Sequence, residues 1–396
     1  MKTVFKADEL KKAVSRCVKY TNPKGFLSDY SYLCFNGDSL MATDGIVGII
    51  QTITVNLGED KILLLAELVN KAISALDGQD VVEVTIDKDK VAIKSGTHKA
   101  KFQETDGSGY QSFNVPTEGI KEIPKDFIAS VKQVRFSIGK NSYFPEMMGV
   151  YFDGSHFYST DNYRITRFQL GEPVDEKFLI PDTILSLIVA EGEPNGYSLW
   201  DGKIWFFYDD FIVFGKLLEG GEFPDCRVVF ETLREKIAID EMKKVSFDRS
   251  VVLKSLEWLS MYKVEEPNRT DLVIRPGILY LLVAGEGVEG EEELPISTES
   301  SGLFSVSLNY LKDAVNGTEC FFFPDQKVKD PKVKPTLFFQ SQTGLETLLL
   351  PLEVGDGETN SILARIGEQL EEKPTEESTD QAVTEVAETT EGEDPA

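Results

Sequence analysis

The sequence predicts an α+β fold in which one domain is repeated three times. Amphipathic helices start near residues 8, 126 and 248, and starts that lie 118 and 122 residues apart indicate a domain-sized repeat rather than a solenoid. A second helix follows 56 to 59 residues after each of these starts, always behind a short apolar strand. Each domain should therefore contain two half-units, each made of one helix and a small antiparallel sheet.

The first helix of each domain is predicted by apolar residues that recur at helical spacing. These residues are Leu10, Ala13, Val14, Cys17 and Val18, then Phe127, Val131 and Val134, and finally Val252, Leu256 and Leu259. The second helices start near Ala66, Asp182 and Ser307, behind the apolar strands KILLL, FLIP and LFSV.

Strands rich in β-branched and aromatic residues follow every helix and are separated by turn dipeptides such as Asn36-Gly37 and Asp153-Gly154. Two further turns, Thr43-Asp44-Gly45 and Thr160-Asp161-Asn162, are interpreted as closed by the aspartate side chain. Because such sheets need a helix over one face, we expect helices on one side and sheets on the other.

We place the three domains at residues 1–120, 121–238 and 239–354, followed by an acidic, largely disordered C-terminal tail at 355–396. Residues 367–396 hold 11 acidic residues and one lysine, so this segment of the tail carries −10 of the net charge of −26. Ile362, Leu363 and Ile366 are its clustered apolar residues and suggest a short helix that ends near Gly367. Whether the tail only solubilises the protein or competes with a binding partner stays open.

The overall charge, with 67 acidic and 41 basic residues, argues by itself against general nucleic-acid binding. Residues 2–24 reverse it locally, with seven basic and two acidic residues, so a basic helix surface could still face phosphates. Four scattered cysteines without a CxxC pair favour a reducing compartment. With no signal peptide and no membrane-length apolar run in the sequence, we expect a cytoplasmic protein.

No pattern for catalysis or metal binding stands out in the sequence. The two histidines, His98 and His156, lie far from any cysteine, and no phosphate-binding loop, nucleophile elbow or zinc-binding helix motif is present. Paired carboxylates such as Asp209-Asp210 are expected by chance in so acidic a chain. We therefore expect neither enzymatic activity nor a cofactor, and a hydrolase remains only an alternative.

The segment MMGVYFDGSHFYSTDNYRITRF (147–168) resembles the middle-domain signature of bacterial DNA polymerase III beta subunits, the beta sliding clamps. FLIP (178–181), EFPDCRVVF (222–230), Ser307-x-x-Tyr310-Leu311 and TLLLPLE (347–353) follow in family order over about 350 residues. The resemblance implies a head-to-tail homodimeric ring with helices lining the hole and sheets outside. It also implies a non-catalytic processivity factor that encircles double-stranded DNA without reading its sequence, with a replicative DNA polymerase and a clamp loader as partners and no membrane.

In that family, a cleft between the second and third domains binds a short peptide motif of the partners. The matching residues here are Met147, Thr160, Asn162, Tyr163, Arg164, Ile165, Pro224, Val228, Val229, Tyr310, Leu348, Leu350, Pro351 and Leu352. Val228 and Glu353 stand where arginines are common, and Ser307 replaces the usual asparagine, so the preferred motif could differ.

The resemblance also assigns two further surfaces. The residues expected to face DNA are Lys11, Lys12, Arg16, Lys24, Lys132, Arg135, Lys140, Lys254 and Lys312. The residues expected at the dimer interface are Lys99, Lys101, Phe102, Trp258, Leu259, Glu289 and Glu292, with Phe102 supplying most of the binding energy.

Three other readings compete with this one. A eukaryotic-type clamp, trimeric with two domains per chain, is disfavoured by the three repeats in this chain. A structural or virion protein built of repeated α+β domains would lack a basic concave surface. A hydrolase would show turnover on nucleotides or esters.

Overall fold

A computed structural model describes most of the chain up to residue 368. The described residues are 2–22, 24, 28–54, 61–87, 90–106, 110–111, 113–140, 143–171, 173–218, 222–262, 268–285, 287–324 and 335–368. The expected disorder beyond residue 368, and Glu286 in the acidic stretch of the third domain, fall outside them. The chain forms two compact units, Met1–Leu352 and Glu353–Ala396.

Eight α-helices occur among the described residues. They are α1 (Ala7–Val18), α2 (Ala66–Ser74), α3 (Phe127–Val134), α4 (Asp182–Glu191), α5 (Cys226–Ala238), α6 (Arg249–Leu259), α7 (Leu308–Val315) and α8 (Asp356–Arg365). The starts of α1, α3 and α6, and those of α2, α4 and α7, confirm the predicted spacing. In the second unit, α8 is followed by Gly367 at φ 76°, a left-handed conformation that suits glycine.

The strands of the first domain are β1 (Lys2–Lys6), β2 (Tyr32–Asn36), β3 (Ser39–Thr43), β4 (Val47–Thr52), β5 (Ile62–Leu65), β6 (Val81–Asp87), β7 (Lys90–Ser95), β8 (His98–Gln103) and β9 (Thr105–Asp106). Those of the second are β10 (Lys121–Glu122), β11 (Gly149–Phe152), β12 (His156–Thr160), β13 (Arg164–Gln169), β14 (Phe178–Pro181), β15 (Gly196–Trp200), β16 (Lys203–Phe207) and β17 (Phe211–Lys216). Those of the third are β18 (Met242–Phe247), β19 (Arg269–Arg275), β20 (Ile278–Gly285), β21 (Val288–Ser297), β22 (Gly302–Ser307), β23 (Cys320–Pro324), β24 (Leu337–Gln340) and β25 (Leu345–Leu349).

Two strand pairs join the domains into continuous antiparallel sheets. β17 of the second domain pairs with β4 of the first over five residues, and β25 of the third pairs with β13 of the second over five residues. The resulting sheets have the orders β10-β15-β16-β17-β4-β3-β2-β5-β9 and β14-β11-β12-β13-β25-β24-β23-β18-β21-β20-β19-β22. The remaining sheet, β1-β6-β7-β8, belongs to the first domain alone.

Helices pack in pairs, α1 with α2, α3 with α4 and α6 with α7, over the apolar faces of these sheets. The predicted helix faces are the buried ones: Leu10, Val14 and Cys17 of α1 are almost inaccessible, as are Val252 and Leu256 of α6. This arrangement confirms the α+β class with two helix-and-sheet halves in each repeat. None of the helices in the described ranges is long and apolar enough to cross a bilayer.

Helix α5, at the end of the expected second domain and just before the expected third, was not predicted. Its apolar residues Cys226, Phe230 and Leu233 recur at helical spacing and are buried. Thr166 of β13 bonds Ser137 just beyond α3 (2.6 Å), whereas the guanidinium of the next residue, Arg167, lies 4.2 Å from the ring centre of Phe230 in α5. Because successive strand residues point to opposite faces, α5 covers the face of the sheet opposite α3.

Candidate functional site

The turn at Thr160–Arg164 forms the rim of the predicted partner cleft. Oδ1 of Asp161 accepts the backbone N–H groups of Tyr163 and Arg164, both at 3.1 Å, and Thr160 donates its hydroxyl to the Arg164 carbonyl at 2.8 Å. Asn162 sits at φ 74°, which asparagine tolerates better than most residues. Asp161 therefore closes this turn with its side chain, as the sequence predicted.

The corresponding turn at Thr43–Val47 repeats these bonds. Asp44 Oδ1 accepts the N–H groups of Ile46 and Val47, both at 2.8 Å, and Thr43 donates its hydroxyl to the Val47 carbonyl at 2.7 Å. The two turns lie at the two inter-domain junctions, immediately before β4 and β13. The interpretation of both motifs as structural turns is thus confirmed.

A concave site of 580 Å³, here called the cleft, lies beside the Thr160–Arg164 turn and α7. Five of the fourteen predicted cleft residues line it: Met147, Asn162, Tyr163, Arg164 and Tyr310. Its other lining residues are Phe136, Ile138, Gly139, Lys140, Phe144, Asp161 and Asp313. The second and third domains both contribute to it, as the resemblance implies.

Arg164 holds the two domains together beneath this cleft. Its guanidinium donates to Asp161 at 3.0 Å and to Asp313 of α7 at 2.6 Å, and it stacks on the Tyr310 ring at 4.1 Å. Burial, with the Asp161 carboxylate as the next cause, raises the pKa of Tyr310, so its hydroxyl keeps its proton at neutral pH. With only 6% of its surface exposed, Arg164 positions the cleft walls more than it offers a charge to a ligand.

The remaining predicted cleft residues are divided between core and surface. Ile165, Leu348 and Leu350 pack in one apolar cluster with Phe230 and Leu233 of α5. Thr160 is buried in its turn. Pro224 is half-buried before α5, while Val228 and Val229 are exposed on the first turns of α5. Pro351 and Leu352 are half-buried after β25.

An ion network fastens α5 across the junction of β13 and β25. Glu346 of β25, 2% exposed, accepts hydrogen bonds from Arg167 of β13 and from Arg234 of α5. Gln340 donates to the same carboxylate at 3.1 Å. Because the three charged residues come from three different elements, this network ties the linker helix to both domains. The sequence pattern offered no way to see it.

Basic residues predicted to face DNA fall into two groups. Lys24, Lys132, Lys140 and Lys254 are exposed. The others are engaged within the protein: Lys11 with the Leu76 carbonyl, Lys12 with Asp210 at 3.1 Å, Arg135 with Asp182 at 2.6 Å, Lys312 with Glu257 at 3.8 Å, and Arg16 as described next.

Arg16 departs most from the expectation. Its Nε lies 3.0 Å from Glu191, its Nη1 lies 3.5 Å from Asp210, and the guanidinium stacks 3.9 Å above Phe211. Its side chain is 14% exposed, so its charge is spent on joining the first and second domains. The structure thus gives Arg16 acidic partners from residues far away in sequence, and its expected role in facing DNA stays a prediction.

The six paired helices nevertheless differ from the rest of the chain in charge. Together α1, α2, α3, α4, α6 and α7 carry eight basic and seven acidic residues, while the whole chain has a net charge of −26. The excess of acid therefore lies outside these helices.

Two residues predicted at the dimer interface face inward. Phe102 is 8% exposed and belongs to the apolar core, and Leu259 of α6 is fully buried. Phe102 therefore packs within its own chain, and its expected contribution to the dimer stays a prediction. In strand β8, Lys99 and Lys101 occupy the exposed face, and strict alternation places Phe102 on the other.

The other predicted interface residues are accessible to different degrees. Trp258 is 40% exposed at the end of α6, and Glu289 is exposed on β21. Glu292 is half-buried and accepts the Ser255 hydroxyl of α6 at 2.7 Å, so it faces the helix side of the sheet. Met261, 76% exposed just after Trp258, was missed, although an exposed methionine next to an exposed tryptophan indicates an interaction surface.

No group of three histidine, cysteine, aspartate or glutamate side chains in the described ranges could hold a metal ion. Burial, followed by the nearby Arg167 charge, lowers the pKa of His156, and its Nδ1 lies 2.8 Å from the Ser155 hydroxyl. This histidine is part of the sheet around Asp153 and not of a catalytic arrangement.

Among known proteins, only solved structures match this chain. No protein-family profile and no curated protein sequence matches the chain. Solved structures match closely over 89% of this chain and all of theirs. They include the DNA polymerase III subunit beta of Pseudomonas aeruginosa (TM-score 0.76, 16% identity) and the DNA polymerase sliding clamp of Caulobacter crescentus (0.76, 18%). A sliding clamp from Bartonella birtlesii bound to griselimycin gives 0.76 at 17% identity.

These matches confirm the resemblance at the level of the fold. The chain has the fold of the bacterial DNA polymerase III beta subunit, the sliding clamp.

Proposed function

We propose that this protein is a DNA sliding clamp, a ring that encircles duplex DNA and tethers a replicative polymerase without catalytic activity of its own. The proposal rests on a strand pairing that recurs between neighbouring domains. β17 and β25 are the third strands of their half-sheets, and each pairs with the preceding domain. β8 holds the same position in the first domain, and among the described residues it pairs only with β7, at the edge of its sheet.

The matching open edge is β21 in the third domain. It stands where β4 and β13 stand in the first and second domains, yet within the described part of the chain only its last two residues pair with a strand other than β20, namely β18. A head-to-tail contact between β8 of one copy and β21 of another would complete the series. Two copies would supply six such domains, the number that the resemblance implies.

The register of this contact can be carried over from the two existing junctions. In both, the first residue of the third strand pairs with the fifth residue of the neighbouring strand, as in Phe211 with Gln51 and Leu345 with Phe168. Applied to β8 and β21, this rule pairs Lys99 with Glu291 and Lys101 with Glu289. Opposite charges directly across an antiparallel pair are stabilising.

Charge over the wider surface agrees with this pairing. The exposed face of β7 and β8 carries four lysines, Lys90, Lys94, Lys99 and Lys101. The exposed face of β21 carries Glu289, Glu291 and Glu293. Such complementarity chiefly sets partner orientation and association rate. Trp258 and Met261, beside β21, are the apolar residues available for affinity.

The DNA-facing role is proposed for the paired helices. Their near-neutral balance of charge within a strongly acidic chain supports a surface that tolerates phosphates, with exposed Lys132 and Lys254 as the strongest candidates. A sliding ring needs weak, sequence-blind phosphate contacts, so few unpaired lysines suffice. The partner polymerase and clamp loader are proposed to bind the cleft through a short peptide with apolar anchors.

Ring closure is tested by sedimentation of charge variants. We expect the wild type to sediment as a dimer, and Lys99→Glu with Lys101→Glu to sediment as a monomer. Glu289→Lys with Glu291→Lys should also be monomeric, and an equal mixture of the two variants should dimerise again, because the swapped pairs restore attraction. Lys125→Glu, at an exposed lysine away from this edge, serves as the control. A wild-type monomer at micromolar concentration would overturn the ring.

A further inference from the structure

A second concave site of 880 Å³ lies at the junction of the first and second domains, and we call it the second groove. Its apolar lining includes Ile46, Phe136, Met148, Leu217 and Leu218. None of the fourteen predicted cleft residues lines it. It is larger than the cleft of 580 Å³ and lies within the same compact unit.

The second groove is built from the same backbone as the cleft rim, one domain earlier. Lys216 donates its N–H to the Ile46 carbonyl at 3.0 Å, just as Leu350 donates to the Tyr163 carbonyl at 2.9 Å. Ile46 thus corresponds to Tyr163. The strand ends Leu217 and Leu218 correspond to the predicted cleft residues Pro351 and Leu352. The repeat therefore places apolar side chains at this junction in positions equivalent to Tyr163, which lines the cleft, and to Pro351 and Leu352, which were predicted to line it.

The fold of this turn does not require an exposed apolar side chain. Ile46 is 53% exposed, although the turn is closed by Asp44 and needs only its backbone. A large β-branched side chain at an exposed turn tip, beside two half-buried leucines, is the composition of a docking surface.

The charged residues that line the second groove indicate what kind of ligand it would bind. Lys140 and Lys216 line the second groove and are exposed, while Arg135 is paired with Asp182. This cationic patch is unusual in a chain with a net charge of −26. An occupant with apolar anchors and flanking carboxylates would match both features, whereas a nucleic acid would leave the apolar floor unused.

The second groove is continuous with the cleft. Four residues, Phe136, Ile138, Gly139 and Lys140, line both sites, so only this short segment separates them. A peptide that leaves the cleft past Lys140 is therefore already in contact with residues of the second groove.

We propose that the second groove binds a continuation of the partner peptide that occupies the cleft. Apolar residues of the continuation contact Ile46, Leu217 and Leu218, and acidic residues lie beside Lys140 and Lys216. The proposal rests on the cleft function proposed above and adds to it a longer, acidic motif. Linking two weak contacts in one peptide raises affinity because the second contact forms at high effective concentration.

The test uses two sets of synthetic fluorescent peptides in anisotropy titrations with the full chain. A short peptide carries only two leucines and a phenylalanine as cleft anchors. Extended peptides add a Leu-Phe-Glu-Glu segment at either end. We expect one extended peptide to bind the wild type about tenfold more tightly than the short peptide, the gain typical of a buried apolar anchor.

Substitutions in the second groove test whether the tighter binding of the extended peptide arises there. Ile46→Asp and Lys216→Glu, both at exposed side chains, should each remove most of the gain and leave the affinity of the short peptide unchanged. Tyr310→Ala, in the cleft, should weaken both peptides. Lys125→Glu is the matched charge control and should change neither.

Each contrary result has a distinct meaning. Equal affinities of short and extended peptides for the wild type would overturn the second groove and leave the cleft intact. A gain that survives in both Ile46→Asp and Lys216→Glu would also overturn it, because the extension would then bind elsewhere. Failure of the short peptide to bind the wild type would overturn the cleft and, with it, this inference.

Discussion

Replacing Glu346 by glutamine should loosen the junction on which the cleft depends. The carboxylate is 2% exposed, and its partner Arg167 is 3% exposed, so the substitution leaves a buried guanidinium without its counter-charge. One Arg167 nitrogen already lacks a hydrogen-bond partner in the described ranges, so this donor has no spare acceptor beside it that could replace the carboxylate. Breaking one side of a buried ion pair costs about 3–5 kcal/mol. We expect Glu346→Gln to lose stability on that scale.

The assay is urea unfolding followed by tryptophan fluorescence, compared as transition midpoints. Glu231→Gln is the matched control, because its exposed pair with Arg227 lies on the same helix α5 at 3.9 Å and should contribute about 0–0.5 kcal/mol. The double variant Arg167→Met with Glu346→Leu should unfold near the wild type, since it removes both charges and keeps the volume. Equal midpoints for Glu346→Gln and Glu231→Gln would refute the role given to this network.

Four further outcomes follow from the same contacts. Replacing Phe230 by alanine should cost about 3–5 kcal/mol, because the ring is fully buried between α5 and the sheet, and calorimetry would show it. Lys132→Ala and Lys254→Ala should each reduce the salt dependence of DNA binding by about 0.9 in the log–log slope, and Lys12→Ala by less, because its amine is paired. Trp258→Ala should raise the dimer dissociation constant about tenfold or more in sedimentation, whereas Trp200→Ala, at a tryptophan of similar exposure, should not. Burial lowers the pKa of His156, so the stability tied to its neutral form is present above about pH 6.5 and is lost as pH falls below it; His156→Gln should flatten this loss in melting curves.

The repeated architecture could be predicted because it rests on local patterns. Helical spacing in α1, α3 and α6 and the turn residues at Asp44 and Asp161 each specify their own structure. The strand pairings between domains could not be predicted from local patterns, because the pairing of β4 with β17 joins residues far apart in sequence. Pattern alone does not encode such pairing.

The surroundings of the predicted site residues could be foreseen to different degrees. The burial of Phe102 could have been predicted, since Lys99 and Lys101 on one face of a strand place Phe102 on the other face. The ion pairs of Arg16 could not, because its partners Glu191 and Asp210 lie far away in sequence. Helix α5 shows a mixed case: its spacing of Cys226, Phe230 and Leu233 was visible, yet the charges of Arg167 and Glu346 that hold it are distant in sequence.

If the protein closes around DNA, it should be linked topologically to a circular plasmid. Cysteines introduced by Lys99→Cys and Glu291→Cys should crosslink across the β8–β21 contact when the protein is mixed with nicked circular plasmid; Lys99→Cys alone is the control. After crosslinking, we expect the protein to elute with the circular plasmid in high salt and to come off once a restriction enzyme linearises it. A crosslinked protein that leaves the intact circle in high salt, or that stays on the linear form, would contradict the ring.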